Sequence, residues 1–121
     1  MILVDTSVWI DHLRQGIEPL TAALLRNEVY SHPMVVGELA CGSLKDRAYF
    51  LQQLNRLPKV TTVSHDEVMH FVDACGLMGK GIGYVDIHLL AACRVTPTCK
   101  LWSRDKRLAQ VAKTLDIAFM A

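Results

Sequence analysis

Short apolar runs alternate with helix-length segments along the whole 121-residue chain, and this alternation leaves few folds open. "ILV" (2–4), "VYS" (29–31), "VTTV" (60–63) and "KLWS" (100–103) read as strands, and "AFM" (118–120) as an edge strand. "ILV" suits a buried parallel strand in particular. Between them the spacing predicts helices over 7–14, 18–27, 33–42, 46–57, 64–78, 84–94 and 105–115. Their ends carry physical signals. Thr6 or Ser7 is placed to cap the first, Pro19 and Pro33 sit in first turns, and Ser64-x-x-Glu67 forms a capping box. Gly16, Gly42 and Pro58 stop helices, and the glycine-rich "GKGIG" (79–83) reads as a flexible connection. Strands separated by helices imply an α/β domain with a mostly parallel sheet covered on both faces. The length gives one domain, residues 1–121, with one core.

The hydrophobic fraction is 51%, and no apolar run approaches the roughly 18 residues of a membrane helix. "MILVDTS" has neither a basic leader nor a cleavage-site pattern, so the expectation is no signal peptide and a cytoplasmic protein. Cys41, Cys75, Cys93 and Cys99 form no CxxC pair and read as reduced and largely core-filling, not as a disulfide or zinc site. Thirteen basic against 12 acidic residues give a net charge of +1, which by itself points to no polyanionic partner.

The acidic residues are more informative than their sum. Asp46, Asp66 and Glu67 lie in first turns of helices, where negative charge suits the macrodipole, and Asp11 and Asp73 have basic or polar neighbours. Four acids have no such account. Asp5 ends an apolar strand, and Asp105 stands between a strand end and a helix start, where it also reads as an N-cap. Glu38 shares a helical face with Met34, Val35 and Cys41. Asp86 heads the face that continues through Leu89, Leu90 and Cys93 in "YVDIHLLAACR". A charge on such a face costs several kcal/mol, as a rough figure, unless it is paired, and neither helix offers a Lys or Arg one turn away.

Functional groups of parallel α/β sheets gather beyond the carboxyl ends of the strands. Four carboxylates converging there would raise one another's pKa, and a hard divalent cation removes the conflict. Carboxylate and water ligands select Mg²⁺ or Mn²⁺, and such a site suits phosphoryl chemistry. His88, two residues from Asp86, points away from it and reads as a surface or polar-network residue. Thr6, Ser7 and Ser103 lie beside the acids and are placed to bond a ligating carboxylate or a phosphate. Setting the four acids aside leaves eight acidic against 13 basic residues. Arg14, Lys80, Arg104, Lys106 and Arg107 fall near the site, a rim suited to a polyanion.

"VDTSVWIDHL", "VVGELACG", "GYVDIHLLAA" and "LWSRDKRL" together resemble the PIN-domain ribonucleases, and within them the VapC-type toxins of bacterial toxin–antitoxin pairs. The resemblance spans essentially the whole chain, with the motifs in family order. It implies a three-layer α/β/α sandwich around a five-stranded, mostly parallel sheet. Asp5, Glu38, Asp86 and Asp105 would be the acids that bind Mg²⁺ or Mn²⁺. Thr6 or Ser7, and Ser103, would be supporting hydroxyls, with Arg104 and Lys106 toward the substrate. Ser103 stands where the family commonly has Thr. The implied activity is endonucleolytic cleavage of RNA by the toxin of a type II pair. The implied partners are a second copy, in a homodimer, and a small VapB-type antitoxin whose C-terminal segment occupies a groove near the site. Two other readings are weaker. A phosphatase lacks a clear nucleophile or phosphate pocket, and a receiver-like domain lacks the acidic pair after its first strand.

Overall fold

A computed structural model describes residues 1–120. The element that organises it is β1 (Ile2–Val4), buried along its whole length. Successive strand residues point to opposite faces, so this burial requires both faces of the sheet to be covered. β1 pairs in parallel with β2 (Val29–Tyr30) on one side and β3 (Lys100–Trp102) on the other, in the order β2-β1-β3. Leu3 stands opposite both Tyr30 and Leu101.

The expected five strands resolve into three strands and two single bridges, Ser31 with Lys59 and Leu101 with Ala118. Both bridges are parallel and extend the sheet by one chain segment at each edge. "VTTV" is therefore not a strand. Ser31 accepts from the Val60 N–H at 3.1 Å, but the next donor, the Thr61 N–H, goes to the Thr96 hydroxyl instead of a ladder carbonyl. At the other edge, "AFM" contacts the sheet only around Leu101, which accepts from Phe119 and donates to Ile117.

The helices run close to their expected limits: α1 (Thr6–Gln15), α2 (Glu18–Leu25), α3 (Pro33–Ala40), α4 (Arg47–Arg56), α5 (His65–Cys75), α6 (Tyr84–Val95) and α7 (Lys106–Thr114). α5 carries the predicted Ser64–Glu67 capping box but stops at Cys75, ahead of the expected 78. Gly76 there takes the left-handed conformation (φ 62°), which glycine adopts without steric penalty. α6 and α7 pack on β3, while α3 packs on α1 and α4. α6 is the most enclosed helix. Ile87 through Cys93 are buried without interruption, so its middle is enveloped on every side instead of apolar on one face. His88 belongs to this interior and is not a surface residue. Among the described residues no helix is long and apolar enough to cross a membrane.

Candidate active site

Parallel pairing of β1 with β3 brings their carboxyl ends side by side: the Asp5 N–H donates to the Trp102 carbonyl at 2.9 Å. Asp5 occupies the N-cap position of α1, where Thr6 or Ser7 was expected, yet its side chain makes no capping bond. It turns to two hydroxyls instead. Ser7 Oγ donates to Asp5 Oδ2 at 2.7 Å and Ser103 Oγ at 2.8 Å. Each hydroxyl is itself oriented by a backbone donor, the Arg104 N–H on Ser7 and the Asp105 N–H on Ser103, both at 3.0 Å. Asp5 is thereby fixed although buried.

The other three acids come from separate elements. Asp105 is the N-cap of α7, its Oδ1 accepting from the N–H groups of Arg107 (2.9 Å) and Leu108 (3.2 Å). Asp86, in the first turn of α6, reaches back so that its Oδ2 accepts from the Gly83 N–H at 3.0 Å. Glu38, on α3, takes the Thr6 hydroxyl on Oε1 at 2.7 Å. Contrary to its expected place on an apolar face, Glu38 is exposed, so its charge carries little desolvation cost.

One pattern runs through all four. Each has one oxygen tied to the protein, while the other (Asp5 Oδ1, Glu38 Oε2, Asp86 Oδ1, Asp105 Oδ2) accepts no hydrogen bond from the described residues. None of these free oxygens is a fully buried orphan. Electrostatics ties the set together. Asp86 is pushed above the usual carboxylate range by partial burial. The Gly83 N–H pulls it back, and the charges of Asp5, Asp105 and Glu38 push it up again. The charges of Asp5, Asp105 and Glu38 thus all bear on Asp86.

Among the described residues no group of three or more His, Cys, Asp or Glu side chains is placed to hold a metal ion by itself. The donors present, carboxylates with one free oxygen each, are of the type Mg²⁺ takes, and Mg²⁺ is held through one or two carboxylates with waters completing its shell.

The basic rim is only partly free. Arg104 is drawn into an ion pair with Asp11 of α1, Nη1 to Oδ2 at 2.9 Å, and is not available as a bare cation. Arg107 lies against Gly81, whose missing Cβ would stand 2.6 Å from the Arg107 side chain. That contact holds the 79–83 connection, and with it the start of α6, against α7. Lys106, Arg14 and Lys80 are exposed.

Sequence reasoning missed two features. Asp11 was dismissed as a helix-surface acid, although it falls one turn after Ser7, a spacing that puts it on the same face. The second is a string of rings. His65 Nδ1 and the Tyr84 hydroxyl lie 2.8 Å apart, Tyr84 stands edge-on to His88 at 4.6 Å, and His88 faces His32 at 6.3 Å. Tyr84 and His88 fall one turn apart on α6, a spacing legible in the sequence, whereas His65 and His32 join them only in the fold. A groove of about 350 Å³, lined by Ile10, Leu13, Arg14, Leu39 and Leu44 among others, opens beside Glu38 between α1 and α3.

A family model described as PIN domain matches residues 2–114. Ribonuclease VapC32 of Mycobacterium tuberculosis, from strains CDC 1551 / Oshkosh and ATCC 25618 / H37Rv, is 46% identical over 108 residues. The aligned region covers 89% of this chain and 87% of that protein.

Proposed function

The chain belongs to the PIN-domain family, and from that premise we propose that it is a divalent-metal-dependent endoribonuclease, the cytoplasmic toxin of a type II toxin–antitoxin pair. The observation that carries the reading is the set of four acids with one oxygen tied and one free, coming from four elements at one end of a parallel sheet. Asp5, Asp86, Asp105 and Glu38 would hold Mg²⁺ or Mn²⁺ through the free oxygens. The bound cation supplies an activated water and neutralises charge developing on phosphate oxygens.

The rest is the work of the chain's own groups. Ser7 and Ser103 hold Asp5 Oδ2, leaving only Oδ1 free. The α6 and α7 N-termini lock Asp86 and Asp105 through backbone N–H groups. The acids are thus in place before substrate arrives and need no reorganisation during the reaction. Exposed Lys106, Arg14 and Lys80 supply the positive rim for an RNA backbone. The apolar groove between α1 and α3, with half-exposed Ile10 and Leu13 at its mouth, suits a short amphipathic segment of an antitoxin of VapB type. An antitoxin segment seated there lies next to Glu38 and obstructs the site. The active unit in this reading is a homodimer.

Asp86→Asn tests the reading. It keeps the acceptor for the Gly83 N–H and removes the charge. Cleavage of a labelled RNA pool with Mg²⁺ should fall by roughly 100-fold or more, at or beyond the upper end of what a lost supporting group costs. Undiminished cleavage overturns the metal role of Asp86.

A further inference from the structure

The two innermost cysteines, expected only to fill space, meet. Cys93, in the last turns of α6, and Cys99, immediately before β3, are both buried, and their sulfurs are 3.4 Å apart. Cys41 and Cys75, by contrast, contact no other thiol among the described residues. We propose that Cys93 and Cys99 are a reversible dithiol–disulfide pair that staples α6 to β3 under a peroxide oxidant.

Three features of the pair support this. The sulfurs need to close by only about 1.4 Å to reach bonding distance near 2.05 Å. The cysteines are separated by the Thr96-Pro97-Thr98 turn, where Pro97 and Thr98 are exposed and Thr98 sits at φ 56°, a strained conformation for a β-branched residue. The thiols also already interact, Cys99 Sγ donating to Cys93 Sγ.

The step balances. One of the two thiolates attacks a peroxide oxygen, the O–O bond breaks, and hydroxide leaves, giving a sulfenic acid. The other cysteine's sulfur then attacks that sulfur and loses its proton, and the sulfenic oxygen departs as water. Two thiols and one hydrogen peroxide become one disulfide and two waters. The sulfurs lose two electrons and the peroxide gains them. The staple ties together the helix that carries Asp86 and the strand that leads to Ser103 and Asp105.

Tryptic mapping tests the proposal on the unmodified chain. Cleavage after Lys80, Arg94 and Lys100 puts Cys93 in the peptide 81–94 and Cys99 in 95–100. The folded protein is treated with stoichiometric hydrogen peroxide, then denatured and alkylated without reductant. The expected product is the two peptides joined, two hydrogens lighter than their sum, and separated again by dithiothreitol. Cys93 and Cys99 recovered as alkylated free thiols, while Cys41 is oxidised, would overturn the pair. Joining of either one to Cys41 or Cys75 in the monomer would do the same. Cys99→Ser should abolish the 81–94 cross-link, a readout that stands whatever the variant's stability.

Discussion

At the scale of the residue, His32 shows how burial and a cap set a titration. Its Nδ1 accepts the Met34 N–H at 3.0 Å at the start of α3, which leaves the proton of the neutral ring on Nε2. That nitrogen is buried without a partner among the described residues. Burial, aided by the charge of His88, lowers the His32 pKa to about 4. The unfolded chain, with an ordinary value near 6.5, then binds a proton that the folded one refuses. This contribution is complete above about pH 6.5 and is lost as pH falls from there to about 4. It amounts to about 3 kcal/mol, at roughly 1.4 kcal/mol per pH unit between 6.5 and 4. His32→Asn keeps a capping acceptor and removes the titration. Urea unfolding at pH 7 and at pH 4.5 should show the wild type losing about 2 kcal/mol more than this variant. Equal losses would place the acid sensitivity elsewhere. Single residues were legible in the sequence where their cost was local. Asp5 ends a strand, Asp86 heads an apolar helical face and Asp105 stands between a strand end and a helix start, whereas Glu38 looked costly on its apolar face and is exposed. Thr6 on Glu38 and Arg104 on Asp11 were not legible as pairs, being 32 and 93 residues apart. His88 was misplaced because a polar residue inside a buried helix looks in sequence like one on its surface.

Among the elements, α7 shows that cap and ligand are not rival explanations. Asp105 Oδ1 satisfies two N–H groups of the first turn and Oδ2 remains free, so one side chain can start the helix and face the cation. The two roles separate by substitution. Asp105→Asn keeps a good N-cap, so its stability should change by less than about 1 kcal/mol. Asp105→Ala should lose roughly 0.5–2 kcal/mol. Both should lose nuclease activity together, read by thermal melts beside RNA cleavage assays. An Asn variant that cleaves like wild type would leave Asp105 only its capping role. The helices were read well where their stops and starts are local: Pro33, Ser64 and Gly16 act within a turn, whereas Gly76, which ends α5 early, was passed over. The outer strands were not. Val60–Val63 has strand composition, but its ladder depends on a partner edge only two residues long and on the Thr96 hydroxyl, which takes the Thr61 N–H. β-propensity describes a surface to pack on, and that surface is not in the segment itself.

For the whole molecule, the core and the site are separate bodies that share a sheet. The buried core runs from Ile2 and Leu3 through Leu20, Val68 and Leu89 to Leu108, and of the four acids only Asp5 is buried. The fold rests on this core, and a cation bound by the acids would relieve the repulsion that Asp5, Asp105 and Glu38 exert on Asp86. The sign follows from Asp86. Its pKa is raised on folding, so its contribution favours the folded state at low pH and is lost as pH rises through the raised value. A bound cation reverses that loss only where the acids are ionised. Far-UV circular dichroism in excess EDTA should keep its helical signal at 25 °C, and adding millimolar Mg²⁺ should raise Tm by a few degrees at pH 7. Near pH 4 the same addition should raise Tm less, because Asp86, with its raised pKa, is then more largely protonated. In Asp86→Asn the shift at pH 7 should shrink, because one of the mutually repelling charges is gone. Global unfolding on chelation would make the ion a structural one. A shift as large at pH 4 as at pH 7 would remove the carboxylates as its ligands.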